Sequence, residues 1–183
     1  MNPQPKEVAS RLLVVDATVI RAAGDSTEYP ISTTCRDILK DILDICHRCA
    51  INKQLRTEWL DHASRYARLW LVQMNSRGKI RYLPESDPRD FSNRILDALP
   101  SQQKKVAYKD LHLIIAAHLA EKIVISQDKR ARGAFAACCH AVAELAVIQW
   151  LDPAADGERI RMWLSGEGEP QAEWSLAPRD ARP

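Results

Sequence analysis

The 183-residue chain has only six glycines, and they form no run that could cradle a phosphate. P-loop and dinucleotide-binding fingerprints need glycines at fixed offsets, so both kinds of nucleotide site are excluded. An excess of charge is also missing: 26 basic residues face 24 acidic ones, for a net charge of +2. Such a chain does not coat nucleic acid by bulk attraction, and any contact of that kind must come from local clusters. No apolar run approaches the roughly 18–20 residues of a membrane span. The opening MNPQPKEVAS lacks the basic-then-apolar layout of a signal peptide. The expectation is a cytoplasmic protein with no membrane partner.

The five cysteines are an odd number in a chain that is not short, so no disulfide framework is expected. Cys46-His47-Arg48-Cys49 has the spacing of a zinc knuckle, but its only complement is Cys138, Cys139 and His140, inside an Ala-rich helical run. Adjacent cysteines do not both ligate one zinc without strain, so buried free thiols are the better reading.

What is present is 46% hydrophobic and 27% charged, ordinary for a globular domain. The length suits one domain. RLLVVD at 11–16, HRCAINK at 47–53, 122–126 and 146–150 read as short buried strands, with 79–83 extended. Helices are expected from Thr33 or Thr34 to Cys46, and from Lys53 to Ser76 with Gly78 as the stop. Others are expected from Asp87 towards Pro100, over Tyr108–Ala120, over Asp128–Glu144, and from a capping Asp156 to Leu164. Residues 1–10 read as a flexible tail, 11–165 as the domain with a helical insertion at about 60–105, and 166–183 as a disordered tail. Strands alternating with helices predict an α/β fold, three-layer α/β/α around a mostly parallel sheet. Functional groups then gather beyond the carboxyl ends of the strands.

Four acids stand out by placement. Asp16 ends the first strand and Asp128 the 122–126 strand; Glu58 lies early in the long helix, and Asp110 opens the 109–120 helix. Each alone fits a helix cap, a dipole partner or a solvated residue. Together, strand-to-helix junctions would bring Asp16 and Asp128 side by side, with Asp110 close. Clustered carboxylates repel unless a cation intervenes. Oxygen-only ligands suit Mg²⁺ or Mn²⁺, ions that acidify water and stabilise a phosphoryl group under attack. Lys129, Arg130 and Arg132 beside Asp128, and Lys104, Lys105 and Lys109 before Asp110, would hold a phosphate backbone. Basic residues in a first helical turn oppose the dipole, and a facing phosphate would explain them.

The order and contexts of these acids resemble the PIN domain, the metal-dependent ribonuclease fold of VapC-type toxins and related proteins. The resemblance rests on LLVVDAT with Asp16, INKQLRTEW with Glu58, and above all KDLHLIIAAHLAEKIVISQD with Asp110 and Asp128. It covers about 11–150, and IQWLDP followed by RMWL is also similar to PIN-like proteins. The long stretch between Glu58 and Asp110 departs from the compact toxins. The resemblance implies an endoribonuclease, in which Asp16, Glu58, Asp110 and Asp128 hold one or two Mg²⁺ or Mn²⁺ ions and hydrolysis leaves a 5′-phosphate. Thr18 and Ser126 fall where the family often has a hydroxyl near the metal. It further implies RNA as substrate, homodimerisation and, for a toxin, an antitoxin partner.

Two readings compete: a non-catalytic PIN-like module binding RNA or protein, and a receiver-like domain phosphorylated on Asp16 or Asp128. The second lacks the expected acidic pair near the first strand end. Trp59, Tyr66 and Trp70 have helical spacing and read as packing residues rather than base-stacking ones. His62, His112 and His118 have no nucleophile at recognisable spacing, so no general base is assigned.

Overall fold

The computed structural model describes residues 8–24, 29–86 and 89–177. Leu12–Val15 form β1, whose four side chains are all buried. A strand apolar on both faces needs cover on both faces, as in a parallel α/β sheet. The other strands are β2 (Arg48–Ile51), β3 (Ile80–Tyr82), β4 (Ile123–Ile125) and β5 (Gln149–Leu151). All neighbours pair in parallel, in the order β3-β2-β1-β4-β5.

The connections are helical: α1 (Ala17–Ala22), α2 (Pro30–Asp44), α3 (Lys53–His62), α4 (Arg65–Ser76), α5 (Arg89–Asp97), α6 (Ser101–Leu119), α7 (Lys129–Ala137) and α8 (Pro153–Leu164). Right-handed crossovers put α1–α4 on one face of the sheet and α5–α7 on the other. The packing agrees: α2 packs on α4 and α8, while α6 packs on α5 and α7. The result is a three-layer α/β/α domain. Among the described residues no helix is long and apolar enough to cross a membrane.

Polar links pin the layers. Trp59 and Trp70 are buried, and their indole N–H groups donate to the Val15 and Leu39 carbonyls at 2.9 and 2.6 Å. Both indoles therefore serve the core, as their spacing implied. Buried His47 accepts the Arg11 N–H at Nδ1 and donates from Nε2 to the Leu164 carbonyl, joining the start of β1 to the end of α8. Burial lowers its pKa, which suits this neutral tautomer.

Several boundaries differ from the sequence reading. The segment ATVIRA folds as α1, which was not anticipated. Helix α2 begins at Pro30 rather than at Thr33 or Thr34, whose hydroxyls both donate back to the Pro30 carbonyl. The single helix expected from Lys53 to Ser76 is two, because the Ser64 hydroxyl caps α4 through the Ala67 N–H. The stop is as expected: Gly78 adopts φ +64°, with Lys79 N–H bonded to the Met74 carbonyl. Helix α7 ends at Ala137, well short of Glu144. Asp152, not Asp156, caps α8, with Pro153 at its first position.

Residues 166–177, expected to be disordered, pack against the domain; 172–174 form a 3₁₀ turn and Trp174 is buried. The end of the expected tail, 178–183, lies outside the described residues, as does most of the N-terminal one. The five cysteines are free thiols, three of them buried.

Candidate functional site

Strand order reverses between β1 and β4, the switch point at which parallel sheets open a crevice beyond their carboxyl ends. Val15 and Ile125 are partners in the last rung between them, so Asp16 and Ser126 emerge side by side. The Asp16 N–H donates to the Ile125 carbonyl at 2.9 Å. Asp16 is buried, and its Oδ2 accepts from Thr18 Oγ1 at 2.5 Å and Ser126 Oγ at 2.6 Å. Ser126 Oγ also accepts the Asp128 N–H at 3.0 Å, so one hydroxyl ties the two aspartates together. Asp128 Oδ1 caps α7, accepting from the Arg130 and Ala131 N–H groups at 2.9 Å each. The cap uses one oxygen and leaves Oδ2 for the crevice.

The other two acids come on helices. Glu58 is on α3 and Asp110 on α6, and Asn52 fastens the two helices. Its Oδ1 caps α3 through the Leu55 N–H, while its Nδ2 donates to the His112 carbonyl at 2.8 Å. Asp110 does not open a helix as expected. It sits midway along α6, which starts at Ser101, so no helix N-terminus explains it.

Asp16, Glu58, Asp110 and Asp128 all line one cavity of about 230 Å³, with Arg21, His62 and Lys109 on its rim and Thr18 beside Asp16. Larger cavities exist, among them one of about 530 Å³ between α2 and α8. There Arg161 is already paired with Asp41 at 2.6 Å.

The field in the acid cavity is legible in Asp110. Burial, then the charges of Asp128 and Asp16, push its carboxyl up to about 6. Glu58 behaves oppositely: burial raises it, but His112, Gln54 and Lys109 outweigh that and hold it below its ordinary value. His112 Nε2 lies 3.0 Å from Glu58 Oε2, close enough for charge contact but without hydrogen-bond alignment, and Gln54 Nε2 donates to Oε1 at 3.1 Å. Among the described residues no group of three or more His, Cys, Asp or Glu side chains closes into a shell that could hold a metal ion. The donor set is all oxygen and strongly anionic, and so matches a hard divalent cation in kind. As they stand, the side chains share a cavity without converging on one point.

The raised Asp110 pKa makes the metal-free protein pH-dependent. The unfolded carboxyl titrates at 3.8 and the folded one near 6. The folded state thus holds this proton more tightly, and folding is penalised as pH rises from about 4 through 6. In EDTA at pH 8, Asp110→Asn should stabilise the protein by about 1–2 kcal/mol, allowing for solvent screening. The gain should vanish near pH 4. Urea melts at the two pH values read it, and equal gains at both would refute the cause.

Of the basic residues expected to hold phosphate, Lys109 lines the acid cavity, whereas Lys129, Arg130 and Arg132 do not. Lys129 is 3.9 Å from Asp152 Oδ2, and Arg130 is exposed. Arg132 donates to the Glu173 carbonyl, and lines a separate cavity with Lys129. Arg21, His62 and His112 were not foreseen at the site. His62 had a signal, since Gln54, Glu58 and His62 recur every fourth residue along α3. Arg21 had none without α1.

No family model, curated protein or solved structure matches the chain.

Proposed function

We propose that the chain is a metal-dependent endoribonuclease of PIN-like type, possessing the acid set that the sequence resemblance implies. The observation that carries this reading is the common cavity at the switch point, lined by carboxylates from four separate places in the chain. Asp16, Glu58, Asp110 and Asp128 would hold Mg²⁺ or Mn²⁺. When bound, the ion would acidify a water and stabilise the phosphoryl group under in-line attack. The residues of the chain do the rest. The Thr18 and Ser126 hydroxyls aim Asp16, the α7 cap fixes Asp128, and Lys109 and Arg21 draw in the phosphodiester. In this reading the stretch at about 60–105 enlarges the crossovers around β3. The toxin role, with an antitoxin and a homodimer, belongs to the same proposal.

A second reading, a non-catalytic PIN-like binder of RNA or protein, is favoured by the engagement of both Glu58 oxygens. One experiment separates the two. The nuclease should degrade total cellular RNA in Mn²⁺ and not in EDTA, and Mn²⁺ should raise its Tm by relieving the repulsion at Asp110. No cleavage together with no Tm shift would reject the metal site; a Tm shift without cleavage would favour the binder.

A further inference from the structure

Helix α6 carries a second feature next to the acid cavity. Lys105, Tyr108, Lys109 and His112 follow one another at spacings of three, one and three, which puts them along one face of a helix. They line a cavity of about 570 Å³ whose apolar side is Leu111 and Ile115. Tyr108 is 71% exposed, an unusual position for so large a ring. Tyr108 makes no contribution to the core, so packing does not account for it.

The two cavities adjoin. Lys109 lines both, and Gln54 reaches from one to the other, donating to Glu58 Oε1 at 3.1 Å and to the Lys109 carbonyl at 3.4 Å. His112 lines the second cavity while contacting Glu58 in the first. An exposed ring flanked by two lysines is the arrangement that grips single-stranded nucleic acid, with base on ring and phosphates on ammonium groups. A duplex keeps its base faces stacked inside and could not use the ring.

We propose that this groove is a nucleotide subsite for single-stranded RNA. Tyr108 stacks on one base while Lys105 and Lys109 hold the flanking phosphates and feed the strand to the acids. The assignment rests on the nuclease reading for its substrate but not for its chemistry, since the subsite needs no metal.

The test is fluorescence anisotropy with a labelled single-stranded oligouridylate in EDTA, where cleavage cannot interfere. Tyr108→Ala should weaken binding about five- to hundredfold, and Tyr108→Phe, which keeps the ring, should stay within about twofold of the parent. Lys105→Ala with Lys109→Ala should flatten the salt dependence. In Mn²⁺, Tyr108→Ala should raise KM and leave kcat unchanged. Unaltered binding by Tyr108→Ala, or no binding by the parent protein, overturns the subsite. So does Tyr108-dependent self-association in sedimentation, which would make the face a protein interface. Cleavage with Tyr108-independent binding rejects the subsite alone. Ring-dependent binding without cleavage rejects the nuclease and keeps the subsite.

Discussion

Asp16→Asn should lower Mn²⁺-dependent RNA cleavage about a thousandfold while shifting Tm by no more than about 4 °C. The first figure follows from the ~4 kcal/mol that a correctly held divalent ion contributes to a phosphoryl transition state. Asp16 is the acid best placed to matter, being buried, rooted on the central strand and aimed by two hydroxyls. The small stability effect follows from the same bonds. An asparagine oxygen still accepts from Thr18 and Ser126, and the exchange of carboxylate for amide costs about 1 kcal/mol. Initial rates on a defined single-stranded RNA, beside a thermal melt, read both numbers. Full cleavage by the variant would move the chemistry away from this cavity. Loss of cleavage with a large fall in Tm would show only that Asp16 holds the fold.

Trp174→Ala should destabilise the protein by about 3–5 kcal/mol, the cost of emptying a buried indole site. The residue is 1% exposed and meets Trp163 edge-on, with ring centroids 5.7 Å apart. Its indole N–H donates to Asp156 Oδ2 at 3.2 Å. The same segment covers the outer edge of β5 through an antiparallel bridge between Ser175 and Gln149 and a bond from the Leu176 N–H to the Ile148 carbonyl at 3.0 Å. An uncovered edge strand is a template for aggregation, so the variant should also become prone to association. Urea denaturation measures the loss, and a change under about 0.5 kcal/mol would mean that 166–177 are not part of the cooperative unit.

Trp174 also marks where the sequence was hard to read. SGEGEP is turn-forming and charged, and by composition outweighs the two anchors that follow, Trp174 and Leu176. The strands were plain, because fully buried parallel strands appear as short apolar runs between polar breaks. That alone located Asp16 and Asp128. Asp110 stands out in the sequence but in the wrong frame. SQQKKVAYK has a mostly exposed first half with little apolar stripe, so its pattern places the start of α6 late and puts Asp110 at that start rather than midway along the helix. Ser64 and Asp152 were ordinary cap residues whose role was overridden, in one case by an unbroken apolar period and in the other by a nearby Asp. Arg132 shows a further limit: proximity in sequence to a site acid does not fix the direction of a long side chain, and this one turns to the Glu173 carbonyl.

The Ser126 hydroxyl between Asp16 and Asp128 gives the cavity two kinds of wall. One pair of acids is set by sheet register and a shared hydroxyl. Glu58 and Asp110 are carried by α3 and α6, joined through Asn52, and α3 is itself tied to the end of β1 by the Trp59 indole on the Val15 carbonyl. The spacing of the four acids is thus set by side-chain ties as much as by sheet register, with Ser126, Asn52 and Trp59 as the three ties.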